Sequence, residues 1–227
     1  MKLIALFLFV FSISSCQKAV KKQPAIPMTK NYLALGDSYT IGESVPRLEA
    51  FPFQLVEQLK EQGQIFTEPE IIATTGWTTD ELLKAIKDKN LSGKYDLVTL
   101  LIGVNNQYRG YSKENYRVEF KELLQTALNF ADNHNERVFV ISIPDWGVTP
   151  FAEKSNRETA KISAEIDAYN AVNREEALQA GVGYVDITPG SRNAATDLSL
   201  LASDGLHPSA KMYAEWVEKL TAMVKNK

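Results

Sequence analysis

Ser38 and His207 are the residues of this 227-residue chain best suited by type to nucleophilic chemistry. Ser38 stands in Gly36-Asp37-Ser38-Tyr39-Thr40, and His207 in Asp204-Gly205-Leu206-His207-Pro208. A serine hydroxyl is a weak nucleophile until a base takes its proton, and histidine suits that task because its unperturbed pKa lies near neutrality. A carboxylate beside the histidine fixes the tautomer and stabilises the imidazolium. The spacing of three between Asp204 and His207 lets both side chains converge on one side of a tight turn. A tetrahedral intermediate also needs donors for its oxyanion. Two further glycine turns, Thr75-Gly76-Trp77-Thr78 and Gly103-Val104-Asn105-Asn106, offer such groups. Each piece alone has a plain structural use. Ser38 can cap a helix, Asp204 can form a turn with Gly205, His207 can cap before Pro208, and Asn105-Asn106 can make a turn.

Groups so far apart in sequence act together only if the fold gathers them, and the hydrophobic pattern indicates how. Strand-like runs cover Tyr32–Gly36, Ile71–Thr74, Leu97–Ile102, Arg137–Ile143 and Val182–Ile187. Helical periodicity covers Ala50–Gln62, Thr79–Lys87, Lys113–Ala131, Glu158–Ala180 and Pro208–Val224, with Ser112 as an N-cap, Gly181 as a C-terminal stop and Pro208 in a first helical turn. Strands alternating with helices predict a parallel sheet covered on both faces, and the Val/Ile/Leu-rich strands fit burial on both sides. The expectation is a three-layer α/β/α, flavodoxin-like fold with five parallel strands. In such sheets ligands bind outside the carboxyl ends of the strands. The candidate turns follow strands one, two, three and five, and Pro144-Asp145-Trp146-Gly147 follows the fourth.

Composition narrows the function. Apolar residues make up 44% and charged residues 23%, enough for one folded domain of ordinary size, and the net charge of -3 argues against nucleic-acid binding. One cysteine and two histidines do not favour a zinc site of Cys/His type; composition leaves a carboxylate-and-water Mg or Ca site open, although the sequence has no EF-hand-like ligand loop. Gly181-x-Gly183 precedes a strand and lacks a third glycine, so it is no dinucleotide loop, and the Gly-x-Ser-x-Gly elbow is absent.

In their order and setting the four turns resemble the motif blocks of the SGNH hydrolases, also called GDSL esterases and lipases, over about residues 31–225. The resemblance implies that Ser38 is the nucleophile, His207 the base and Asp204 its orienting partner. It also implies an oxyanion hole made by the N–H groups of Ser38 and Gly76 and the side-chain amide of Asn105. Two residues depart from the pattern. Tyr39 replaces a leucine at a position that carries no chemistry, and Asn106 replaces an aspartate that is no catalytic base, so the hydrogen bonding around Asn105 is where a difference is expected. His134, in the polar run Asp132-Asn133-His134-Asn135, reads as a solvated residue at a helix end, which leaves His207 as the base. Tyr39, Trp77 and Trp146 are candidates to line a substrate pocket, with ordinary core or rim packing as the alternative for the tryptophans. Tyr108 and Arg109 are weighed between substrate contact and a solvated loop.

The first segment stands apart. Lys2 and the apolar run Leu3–Ile13 read as an export signal over residues 1–15, too short to span a bilayer. Ile13-Ser14-Ser15-Cys16 resembles the lipobox of bacterial lipoproteins, which implies a lipidated Cys16, a tether over residues 16–30, a membrane anchor and a cell-envelope location. The domain then spans 31–227. The reading of the whole chain is a serine-dependent carboxylic ester hydrolase for a small-molecule ester, such as an acyl ester, a lysolipid or an acylated glycan. It calls for no metal or organic cofactor. An acyltransferase and a non-catalytic lipid- or glycan-binding lipoprotein are the alternatives.

Overall fold

The computed structural model describes residues 28–225. Cys16, the export signal and most of the expected tether lie outside them. In chain order the elements are β1 (Tyr32–Gly36), α1 (Ser38–Ile41), α2 (Phe51–Glu61), β2 (Glu70–Ala73), α3 (Thr79–Lys89), β3 (Leu97–Leu101), α4 (Val104–Tyr108), α5 (Lys113–Phe130), β4 (Val138–Ile141), α6 (Pro150–Lys154), α7 (Thr159–Ala180), β5 (Gly183–Val185), α8 (Thr188–Ser191) and α9 (Ala210–Lys225).

Five strands pair in the order β2-β1-β3-β4-β5, every pair parallel. Parallel neighbours need crossover helices, and these cover both faces. Helices α2 and α9 pack together on one face, and α3, α5 and α7 pack side by side on the other. Strands β1, β3 and β4 are buried along their whole length. The aromatic residues Tyr32, Tyr116, Phe120, Phe139, Tyr213 and Trp216 fill the space between sheet and helices. The chain leaves β1 toward β2 on one side and returns to β3 on the other. This switch point opens a crevice between the carboxyl ends of β1 and β3, where Gly36 sits opposite Leu101. A Cβ on Gly36 would drive into the Thr40 side chain and the Leu101 carbonyl. The glycine therefore lets the turn that carries Ser38 lie against β3.

Several boundaries shift by one or a few residues from the sequence expectation, and two of the shifts have a visible cause. Pro208 does not open the last helix. It pairs with Leu201 in an isolated antiparallel bridge, and the helix begins at Ala210. Ser209 takes the capping role instead, its Oγ accepting from the Met212 N–H at 3.4 Å. The fifth strand ends at Val185, short of Ile187, because the Ser142 hydroxyl accepts from the N–H groups of Ile187 and Thr188 at 2.8 and 3.1 Å. That capture turns the chain into α8.

Candidate active site

Ser38 is the first residue of α1, a single turn held by Asp37, whose Oδ1 accepts from the Tyr39 N–H at 3.0 Å. The same carboxyl is buried, and its Oδ2 has no hydrogen-bond partner. Burial pushes its pKa up to about 7, against the pull of hydrogen bonds from the backbone of Tyr39 and of Asp37 itself. Asp37 therefore shapes the turn that presents Ser38. It does not face the pocket.

His207 lies across the crevice on the long connection between α8 and α9. Its Nδ1 is 2.6 Å from Oδ2 of Asp204. An ionised carboxylate can only accept, so the proton resides on Nδ1 and leaves Nε2 as the basic nitrogen. Asp204 is held by four donors. Oδ1 accepts from the backbone of Leu206 and His207 at 2.9 and 3.0 Å, and Oδ2 accepts from His207 and from the Ser44 hydroxyl, each at 2.6 Å. Partial burial pushes its pKa up, but the bonds from Ser44, His207 and the two N–H groups outweigh it and hold the carboxyl well below its ordinary value. The Tyr39 ring meets the His207 ring edge-on at 5.6 Å, so the residue at the family's leucine position braces the imidazole.

The third side of the crevice comes from β2 and β3. Gly76 has a φ of 87°, which sets the loop after β2 in a conformation that favours glycine. This loop and the first residue of α3 are laced to α4 and to Arg109 just past its end. Arg109 donates to the Gly76 carbonyl at 2.6 Å, Asn105 Nδ2 donates to the Trp77 carbonyl at 2.9 Å, and Asn106 Oδ1 accepts from the Thr79 N–H at 3.1 Å. Asn105 thus spends one amide hydrogen on the loop and keeps one for a ligand. Arg109 is braced in turn by Glu81 at 3.2 Å. Asn106 Nδ2 donates to the Thr79 hydroxyl at 2.7 Å, and that hydroxyl donates to Glu119. The asparagine that departs from the family pattern therefore joins α4 to the first residue of α3.

One pocket of about 200 Å³ collects Ser38, Tyr39, Gly76, Asn105, Trp146 and His207. Asp204 stands behind His207 and does not line it. Trp77 does not line it either. Its side chain packs half-buried against the core, and its contribution is the carbonyl that receives Asn105. His134 is remote from the site, paired with Glu136 at the surface. Thr75, Val104, Phe151 and Leu206, which were not among the expected lining residues, also line the pocket, as does Tyr108. The sequence signal that points to Phe151 is the Thr149-Pro150 pair, an N-cap followed by proline at the first helical position of α6. Leu206 was legible as the apolar residue inside the Asp204–His207 turn. Among the described residues no group of three or more His, Cys, Asp or Glu is arranged to hold a metal ion.

The pocket floor is Trp146, buried at 2% exposure. Its Nε1 donates to Gln107 Oε1 at 2.9 Å, Gln107 Nε2 donates to Glu165 at 2.6 Å, and Arg157 donates to the same carboxylate at 2.6 Å while lying over the indole. Tyr108 and Phe151 stand edge-on to the indole at 5.5 and 6.0 Å and form the rim. The segments that follow the five strands thus supply a hydroxyl, amide donors, an apolar floor and an imidazole backed by a carboxylate.

Among solved structures the chain is similar in fold to TesA (18% identity, 88% of this chain and 99% of that one, TM-score 0.67). It is also similar to a lipase/acylhydrolase from Enterococcus faecalis (20%, 87% and 96%, 0.65) and to Axe2, an acetylxylan esterase from Geobacillus stearothermophilus (18%, 86% and 94%, 0.66). No curated protein matches it. The model of the GDSL-like lipase/acylhydrolase family matches residues 34–215, which takes in the turns that carry Ser38, Gly76, Asn105 and His207. The chain belongs to that family and is a carboxylic ester hydrolase.

Proposed function

We propose that the protein hydrolyses esters of short to medium acyl groups through an acyl-enzyme on Ser38. His207 Nε2 takes the Ser38 proton as Oγ attacks the ester carbonyl. The carbonyl oxygen becomes an oxyanion facing the N–H groups of Ser38 and Gly76 and the second amide hydrogen of Asn105. His207 then gives its proton to the leaving alcohol. Water, deprotonated by His207, attacks the acyl-enzyme, and the acid departs with Ser38 restored. Asp204 stays ionised throughout and stabilises the imidazolium. The observation that carries this reading is the Asp204–His207 hydrogen bond at 2.6 Å in a turn whose histidine shares one pocket with Ser38, Gly76 and Asn105.

The acyl preference follows from the floor. A pocket of about 200 Å³ is smaller than the ~300–1,000 Å³ usual for drug-sized ligands. The indole that closes it is held by a hydrogen bond to Gln107 and lies beneath the Arg157 guanidinium. Turnover of p-nitrophenyl esters from acetate to palmitate, by residues 17–227 and by Ser38→Ala, tests both parts. Ser38-dependent turnover with an optimum at short chains is expected, together with covalent labelling of Ser38 by a fluorophosphonate. Full activity in Ser38→Ala would sink the mechanism, and an optimum at palmitate would sink the acyl preference.

We also propose that the domain works tethered to a membrane through a lipid on Cys16. Cys16→Ser in the full chain is expected to move the protein from the membrane fraction to the soluble one, and an unchanged distribution would remove the anchor.

A further inference from the structure

The turn that follows the nucleophile carries a residue under backbone strain. Ser44 has a φ of 65°, a region that non-glycine residues other than Asn and Asp seldom enter. Strain of this kind persists where surrounding contacts demand it. The turn is fixed to the nucleophile itself, because the N–H groups of Gly42 and Glu43 both donate to the Ser38 carbonyl. From this platform Ser44 Oγ reaches Asp204 Oδ2 at 2.6 Å, across 160 positions of sequence. The neighbouring Glu43 accepts from the hydroxyl of Thr75, the residue before Gly76. One short turn thus touches the acid on one side and the oxyanion loop on the other.

We propose that Ser44 is a positioning residue for the Asp204–His207 pair, its hydroxyl orienting the carboxylate so that Oδ2 meets Nδ1. Both backbone bonds to Asp204 from within its own loop go to Oδ1. They leave the carboxylate free to tilt about that oxygen, and Ser44 is the donor from outside the loop that fixes the oxygen facing histidine. The same donation withdraws charge from Oδ2, so removing it strengthens the hold of Asp204 on a proton at His207. Other ionisable groups near the pair are Glu43 on the same turn, Asp37 and Tyr39 on the nucleophile segment, Asp145 after β4 and Tyr213 on α9. The two tyrosines are buried and held neutral, with their pKa values pushed up by that burial.

The test compares Ser44→Ala, which removes the hydroxyl and keeps the strained backbone, with Ser44→Gly, which removes the hydroxyl and relieves the strain. On p-nitrophenyl acetate both are expected to lose roughly ten-fold in kcat, the scale of one hydrogen bond to a charged group. KM should be unchanged, and the acidic limb of kcat/KM should move to higher pH. Ser44→Gly is expected to melt no lower than the wild type, so its loss of turnover is not a loss of fold. A Ser44→Gly enzyme with wild-type kcat and an unmoved acidic limb overturns the assignment, whatever Ser44→Ala does. The proposal rests on the ester-hydrolase mechanism above, and the two fail differently. Turnover indifferent to Ser38→Ala removes the mechanism. Ser38-dependent turnover indifferent to residue 44 removes this role alone.

Discussion

The two banks of the crevice are built on different plans. On the bank to which the proposed mechanism assigns the oxyanion, the loop after β2 and the first residue of α3 are tied to α4 and Arg109 at three places, and each tie grips a backbone group. On the bank to which the same mechanism assigns acid–base work, Asp204 and His207 ride a long connection between α8 and α9. The hydrogen bonds that set their geometry converge on a single carboxylate with four donors, one of which crosses from the Ser38 side. The first bank spreads its positioning over several independent bonds, and the second concentrates it in one residue. A charge that appears only in the transition state needs donors already in place. A base that shuttles a proton needs one well-set orientation and a tuned partner.

This contrast can be broken at several points. The largest effect is expected from Ser38→Ala or His207→Ala, which remove the shared chemistry of both banks. Turnover should fall on the order of 10⁴–10⁶ with the far-ultraviolet spectrum unchanged. Next comes Asn105→Ala, which should lower kcat on the order of 10²–10³ and leave KM nearly as it was. Because the Arg109 and Asn106 ties remain, the fold around Gly76 should persist. A collapse of thermal stability in Asn105→Ala would show that the oxyanion bank is not redundantly held. Trp146→Ala acts on neither bank, and it opens the floor toward a small void lined by Tyr39, Leu201, Leu206 and Met212. The ratio of octanoate to acetate turnover should rise about ten-fold or more, since each added buried methylene contributes roughly 0.8 kcal/mol. An unchanged chain-length profile would place the acyl group elsewhere.

The smallest effects concern stability and pH, and they have opposite signs on the two sides of Ser38. Asp204 has a folded pKa below its ordinary value of 3.8, so the stability it contributes is present above about pH 4 and is lost as pH falls. Asp37 has a folded pKa raised to about 7, so its contribution is full below about pH 4 and declines as pH rises through 7. Thermal midpoints measured at pH 5 and pH 8 should therefore fall less in Asp37→Asn than in the wild type. Asparagine can still accept the Tyr39 N–H, so activity should change little. Parallel pH slopes for the two proteins would contradict the burial of an ionising Asp37.

Much of this architecture was legible because it is local. Strand runs that end in glycine or proline, and helices that end at Gly181 or begin after Ser112, announce themselves through period and punctuation. Gly36, Gly76 and Gly103 marked the turns where the chain comes near a ligand. Less legible was whatever depends on contact between distant segments. Ser44 offers no signal in sequence, since its strain and its bond to Asp204 exist only once the last loop has folded back. Trp77 was visible as an aromatic residue beside a turn, but its carbonyl is the part the site uses, and no side-chain type foretells that. The end of β5 depended on the Ser142 hydroxyl, 45 residues before Ile187. Pro208 carried the right preference for a first helical turn, and the bridge to Leu201 overrode it.

The hydroxyl of Thr79, between Asn106 and Glu119, has a consequence for protein engineers. That hydroxyl has one hydrogen. Asn106 supplies a donor to it, so the hydrogen is free to go to Glu119. An aspartate at 106 would also demand it, leaving two carboxylates competing for a single proton beside the oxyanion bank. Positions 79, 106 and 119 therefore form an exchangeable cassette. A chimera or library that restores the family's aspartate is expected to succeed when residue 119 is changed in the same molecule, and to fail when it is not.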